Sequence, residues 1–291
     1  MNYRITTGEK IFKICNAVIL TFIGLMAILP FIHVFAKALS DNSAVISGKV
    51  TFLPVGLQLG NYEFILTKSM FLTCFRNSLF ITIIGTLLSL FCTVTTAYPL
   101  SKVWLKGRKF FVLLYIFAML FYGGIIPGYM LMKSLNLLDT LWSVIFPFMV
   151  VPFNMLVVKT FMEGLPESVE ESAKIDGAGD IRILVSIILP MSMPVIATIG
   201  LFYAVTYWNG FFHATMYISK PDLKPLQQYI YEMINSANNI NNNMSVEEML
   251  KISPGGVQAA AIIATTMPII IVYPFLQKYF VQGMTLGSVK G

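Results

Sequence analysis

The part of the chain richest in chemically active groups is a short acidic stretch. Phe161-Met-Glu-Gly-Leu-Pro-Glu-Ser-Val-Glu-Glu-Ser-Ala-Lys-Ile-Asp-Gly-Ala-Gly-Asp180 carries six carboxylates against the single cation Lys174. An enzyme would surround such acids with a catalytic constellation, and none is found. There is no H-E-x-x-H, no G-x-S-x-G and no G-x-x-x-x-G-K-[ST] phosphate loop. His33 and His213 stand alone and read as interfacial or packed residues. Cys15, Cys74 and Cys92 lack metal-ligand spacing and read as small apolar or boundary residues. Catalytic residues and metal ligands are therefore expected to be absent, which leaves recognition as the chemistry of the acids.

Their spacing predicts a helix. Pro166 suits a first helical position, where its missing N–H costs nothing. Glu167, Glu170 and Glu171 meet the positive end of the helix dipole. Glu170 and Lys174 form an (i, i+4) pair, Gly177 stops the helix, and Asp180 can cap the next one. Leu165, Val169, Ser172, Ala173 and Asp176 share one side, with the glutamates and Lys174 largely on the other. A helix with small residues on one face suits a groove on a partner. Lying flat on the bilayer is the alternative, but an acidic helix is poorly matched to an anionic leaflet.

The elements that must position this helix are membrane spans. Of 291 residues, 56% are apolar and only 12% charged, and a mean hydropathy of +0.75 leaves too little polar surface to coat a soluble globule. The net charge of +6 sits in short segments between apolar runs, which points away from nucleic acid. Six windows reach span length, and crossings are expected at 14–36, 77–99, 110–132, 140–158, 193–215 and 255–277. Pro30, Pro127, Pro147, Pro152, Pro194 and Pro268 lie in or beside them, as membrane helices tolerate. The expected fold is an all-α polytopic membrane protein with six transmembrane helices.

Twelve of the 20 Lys and Arg fall on one side of that arrangement, among them Lys102, Lys106, Arg108 and Lys109. The bias puts both termini in the cytoplasm, with 159–190 as a cytoplasmic loop. A basic start followed by Ala36-Lys37-Ala38 superficially resembles a cleavable signal, but the apolar run is span-length and reads as a retained helix. Residues 37–76 form a turn-rich outer loop, and 216–251 form a second one that contains the polar run Asn235 to Asn243, which is expected to be mobile. The whole chain, 1–291, reads as one membrane domain.

At the acidic segment the sequence resembles a family. Glu171-Ser-Ala-Lys-Ile-Asp-Gly-Ala178, followed by Ile187-Ile-Leu-Pro190, is similar to the E-A-A-x-x-D-G-A and I-x-L-P signature of ABC importer permeases, with Ser172 where Ala is usual. Asn61-Tyr62, Ala97-Tyr-Pro-Leu-Ser101, Trp208-Asn209 and Tyr279 to Gly291 resemble the carbohydrate-uptake, maltose permease-like group. Gly8-Glu-Lys-Ile-Phe12 and Pro225-Leu-Gln-Gln228 look closest to a subgroup for oligosaccharides, including uronate-containing ones.

The resemblance implies a type I importer fold in a bacterial cytoplasmic (inner) membrane. It also implies a second permease subunit, two copies of a cytosolic ATPase that hold the ATP and Mg, and an external solute-binding protein. The acidic helix would be the coupling helix, with Glu171, Ser172, Ala173, Asp176, Gly177, Ala178, Leu189 and Pro190 at the ATPase contact. Glu171 would pair with a basic residue of the ATPase, or else be merely solvated. Gly287, Ser288 and Lys290 would reach the ATPase, or form a frayed end. Asn154, Tyr203, Tyr207, Trp208 and Asn209 could line a sugar pathway, although Tyr207 and Trp208 equally suit an aromatic belt at the membrane interface. The alternative functions are an ATP-independent carrier, which would be expected to show ionisable groups inside its spans, and an ABC permease for a non-sugar solute.

Overall fold

The computed structural model describes residues 7–68, 70–121, 123–240 and 253–286, and every regular element among them is helical. In chain order these are α1 (Thr7–Ala38), α2 (Asn42–Ile46), α3 (Gly60–Lys68), α4 (Phe71–Ser101), α5 (Arg108–Leu120), α6 (Ile125–Ser134), α7 (Trp142–Ile145) and α8 (Pro152–Glu163). They continue as α9 (Glu167–Ile175), α10 (Asp180–Ile183), α11 (Leu189–Met191), α12 (Met193–Asn209), α13 (Phe212–Tyr217), α14 (Leu226–Ile240) and α15 (Pro254–Leu286). The chain divides into two compact units, one of Met1–Phe71 with Glu232–Met267 and the other of Leu72–Tyr231 with Pro268–Gly291.

Among the described residues, three helices are long and apolar enough to cross a membrane, and up to six crossings result if each of three bent pairs is one span. Not every proline breaks its window. Pro30 lies inside continuous α1, and Pro268 and Pro274 inside α15. Window 140–158 is instead broken, Trp142–Phe148 and Pro152–Glu163 meeting at 47°. Pro152 drives its predecessor Val151 into extended backbone (φ −89°, ψ 117°). The freed Val151 N–H donates to the Tyr203 hydroxyl at 3.1 Å, so the break leaves no orphan donor there. Window 110–132 falls on two helices, α5 and α6, separated before Gly124 at φ +92°. Asp180–Met191 and Met193–Asn209 bend by 82°, and α12 stops at Gly210, inside window 193–215.

In the first unit the apolar flank of α1 is exposed along its whole span-length window. Its C-terminal end is anchored by the following loop, where Ala36, Ala44 and Val50 form a small cluster. Ser40 donates to Ala36 O at 2.7 Å and accepts from Val55 N at 3.0 Å, while Asn61 Nδ2 donates to Ala38 O at 3.1 Å. A Cβ on Gly256 would fall 2.7 Å from Asn61 Nδ2, so glycine is what lets α15 start there. The segment 37–76 does turn at Gly48 and Gly56, both at positive φ, but it also contains α2 and α3. The polar run Asn235 to Asn243 begins inside α14, Leu226–Ile240, while 241–252 lie outside the described residues.

The second unit has one core. Ile81, Val94 and Ala97 of α4, Met155, Val158 and Met162 of α8, and Ile199 and Tyr203 of α12 pack together with Ile183 and Ile188. Several polar groups between these helices are matched. Tyr203 Oη meets Thr93 Oγ1 at 2.8 Å, and Tyr207 Oη donates to Ile145 O at 3.1 Å and contacts Ser89 Oγ at 2.8 Å. Hydroxyl bonds of this kind tie apolar helices together where burial alone gives little preference for one partner.

Candidate functional site

The acidic helix is α9, and both its ends are built from local chemistry. At its start Pro166 occupies the capping position with extended backbone (φ −62°, ψ 121°), one residue earlier than expected, and Glu167 opens the helix. At its end Asp176 is the cap and Gly177 turns left-handed at φ +80°. Gly177 N then donates to Lys174 O at 3.0 Å and Ala178 N to Ala173 O at 2.9 Å, the two bonds of a Schellman motif. Asp180 is the first residue of α10, whose cap is Gly179, so the expected side-chain cap from Asp180 is not made.

Charge pairing differs from the local expectation. Glu170 forms an ion pair with Lys102, 68 residues earlier, rather than with Lys174. The reason is orientation: Glu170 and Ala173 are each only 8% exposed, on the side of α9 that faces the core. Lys102 reaches the carboxylate with its ammonium 4.8 Å from the Tyr98 ring centroid, so it is held by charge and aromatic face together. Lys174 lies outside, 5.5 Å from the Trp104 ring and 4.0 Å from Asp180. A second knot ties the end of α8. Glu163 pairs with Arg108 and also with Lys159 at 2.7 Å, and Arg108 Nε donates to Leu100 O at 2.9 Å. Both knots join the 102–108 loop to α8 and α9.

The face assignment is corrected accordingly. Leu165, Val169 and Ala178 are half-buried and Ala173 is buried, but Ser172 and Asp176 are exposed, and Glu170 belongs to the packed side. The free face carries Ser168, Glu171, Ser172 and Ile175, at helical spacing. Ile175 is 87% exposed, and Ile181, just past Gly177, is 81% exposed. Ser172 bonds back to Ser168 O at 2.8 Å, which leaves its outer surface small. This face combines the Glu171 carboxylate with exposed Ile175, and exposed Ile181 follows in α10. Ile188 is buried behind the mount, Leu189 is half-buried and Pro190 is exposed. The π-type turn Leu184–Ile188 immediately precedes Leu189-Pro190.

The residues expected to line a pathway fall apart into two groups. Asn154, Tyr203, Tyr207 and Trp208 are buried. Tyr203 and Tyr207 hold their hydroxyls in the interhelix bonds described above, and Trp208 stands edge-on to Phe75 at 5.9 Å. Asn209 is exposed where α12 ends. His213 packs against Phe148 at 4.8 Å, and His33 Nδ1 lies 2.7 Å from Thr51 O, so both histidines have neighbours in the fold. Gly287, Ser288 and Lys290 lie outside the described residues. Sequence reasoning missed Lys102, Arg108, Lys159 and Glu163 as anchors. Their signal was present, since two loops assigned to the same side of the membrane carry opposite charge.

Comparison with known proteins gives this arrangement its context. Residues 80–286 match the family described as binding-protein-dependent transport system inner membrane component. Protein LplC of Bacillus subtilis (strain 168) is 41% identical over 286 residues, covering 98% of this chain and 97% of that protein. The polygalacturonan/rhamnogalacturonan transport system permease protein YtcP of the same organism is also 41% identical, over 94% of this chain and 96% of its own length. A chain from the crystal structure of a bacterial ABC transporter involved in import of the acidic polysaccharide alginate superposes with a TM-score of 0.85 at 34% identity, covering 94% of this chain and 98% of that one. With the matched family spanning most of the chain and relatives at this identity along nearly all of it, the protein belongs to the inner membrane components of binding-protein-dependent transport systems, the non-catalytic permease subunits of ABC importers.

Proposed function

We propose that this permease imports an acidic, uronate-containing oligosaccharide, and that α9 is the helix through which a separate cytosolic ATPase drives it. The observation carrying the coupling role is the division of α9 into a packed side, fixed by Glu170 and Lys102, and a free side with Glu171 and Ile175. A helix mounted in this way transmits displacement, since its anchored side moves with α4 and α8 when its free side is pushed. ATP and Mg are bound by two ATPase copies. A second permease subunit completes the pathway, and an external binding protein delivers the sugar. Nucleotide state then biases an inward-open against an outward-open arrangement. The substrate class follows from relatives named for polygalacturonan/rhamnogalacturonan and alginate import. Tyr203, Tyr207 and Trp208 brace α12 in this reading, Asn209 is the group left available to substrate, and Gly287 to Lys290 reach the ATPase.

Two measurements test it. Cells lacking this chain should lose uptake of oligogalacturonate, regain it with the parent gene and keep uptake of a neutral malto-oligosaccharide; unchanged oligogalacturonate uptake would refute the substrate class. For topology, with both termini and α9 cytoplasmic, a cysteine at exposed Lys49 should react with an impermeant reagent in intact cells. A cysteine at exposed Ser168 should be protected, and its labelling from outside would overturn the coupling role.

A further inference from the structure

A cavity of about 310 Å³ lies where α5 begins, lined by Arg108, Lys109, Val112, Leu113 and Lys159. Its size is within the roughly 300–1,000 Å³ of small-molecule sites. Three cations line it, and the one carboxylate paired with any of them, Glu163, is shared by Arg108 and Lys159. Lys109 makes no ion pair among the described residues. The site therefore holds an excess of two positive charges. Along the same helix Phe110, Leu113, Leu114 and Phe117 are exposed, so a charged end runs directly into an open apolar flank. Gly107 gives α5 no side-chain cap, which leaves first-turn amides as further donors.

We propose that this cavity binds the headgroup of an anionic phospholipid. The phosphate would accept from Lys109, from Lys159 and from the Arg108 N–H groups that Leu100 O and Glu163 leave free, and the start of an acyl chain would lie along Val112 and Leu113. A zwitterionic headgroup fits less well, because its own ammonium would meet the uncompensated cations. A protein carboxylate would have to be carried to this depth against a desolvation cost, whereas lipid phosphate is already there. The inference needs only that α5 starts at a membrane boundary; it does not depend on which side, nor on the role of α9.

The test uses the full chain with its co-purified partners, reconstituted in vesicles of mixed phosphatidylethanolamine and phosphatidylglycerol. After mild extraction, retained lipid is identified by mass. Phosphatidylglycerol should be enriched, and Lys109→Gln should cut that enrichment roughly fivefold, the worth of one lysine near an anionic surface. Because Lys109 anchors nothing in the fold, this variant should assemble normally. Lys106→Gln, in the same loop but outside the cavity, should leave the enrichment unchanged, and added inorganic phosphate should not displace the lipid. Equal retention of both lipids would overturn the proposal, as would an equal loss in Lys106→Gln. Displacement by inorganic phosphate would make this a free-anion site instead, and a photo-crosslinker at Leu113 that captures protein rather than lipid would make it a protein interface.

Discussion

Lys102 and Glu170 form an ion pair in which each side chain is nearly nine-tenths shielded, and this pair joins the end of α4 to the acidic helix. Exposed pairs contribute about 0–1 kcal/mol. Removing one member of a shielded pair costs far more, about 3–5 kcal/mol, because it strands the other charge. The pair therefore acts less as net stabilisation than as a constraint on where α9 sits.

That constraint predicts a charge-swap experiment. Glu170→Ala and Lys102→Ala should each lower transport strongly while leaving membrane insertion intact, with ATPase hydrolysis persisting uncoupled from uptake. Lys102→Glu combined with Glu170→Lys should recover a substantial part of the coupling. The ratio of hydrolysis to uptake in reconstituted importer is the measurement, and a double variant no better than either single one would show that the pair does not position α9.

Close packing between α4 and α12 gives a second prediction. A Cβ at Gly85 would fall 2.8 Å from the Tyr207 ring, whose hydroxyl is fixed by Ser89 and Ile145. Gly85→Ala should destabilise the solubilised protein by about 1–3 kcal/mol, the usual cost of overpacking, visible as a lower unfolding temperature. Gly24→Ala, where a Cβ meets nothing within 4 Å, is the matched control.

Asp139 supplies a pH test. Its carboxylate accepts from Ser219 N at 2.6 Å and Lys220 N at 3.1 Å, and these bonds hold its pKa below the ordinary 3.8. A lowered folded pKa means that the contribution is present above about pH 4 and fades as pH falls through the folded value. Amide exchange at Ser219 and Lys220 should be slower in the parent than in Asp139→Ala at pH 7, and the difference should close in strong acid. A constant difference across that range would show that ionisation of Asp139 is irrelevant to the turn.

How much of this was legible beforehand follows from the range of each interaction. The start, length and stop of α9 could be read because Pro166, the glutamates and Gly177 act within a few residues of themselves. The partner of Glu170 could not, because Lys174 satisfied every local rule while the actual cation sits in another loop. The apolar windows themselves were visible in hydropathy. The breaks at Pro152 and Pro194 were not, since Pro30 and Pro268 in equally apolar runs leave their helices continuous. The hydroxyl partners of Tyr203 and Tyr207 could not be read either, because span five is apolar all round and no stripe marks which side packs against α4.

The last prediction concerns Glu171, which is exposed one residue from buried Glu170. In the proposed importer its carboxylate enters a protein interface and pairs with a cation of the ATPase. Truncating one member of such a pair costs about 2–5 kcal/mol, much of it from the stranded partner, whereas rim pairs cost far less. Glu171→Ala should therefore weaken ATPase docking by roughly 30-fold or more, measured as retention of the ATPase on the solubilised permease. Glu167→Ala, one turn earlier on the solvated side of α9, is the control and should do little. Ile175→Ser should also weaken docking, because a bare isoleucine loses its apolar contact on the same face. Glu171→Lys should be rescued by charge reversal at the matching ATPase residue. If Glu171→Ala and Ile175→Ser both retain the ATPase like the parent, the free face of α9 is not the surface through which the cycle is driven.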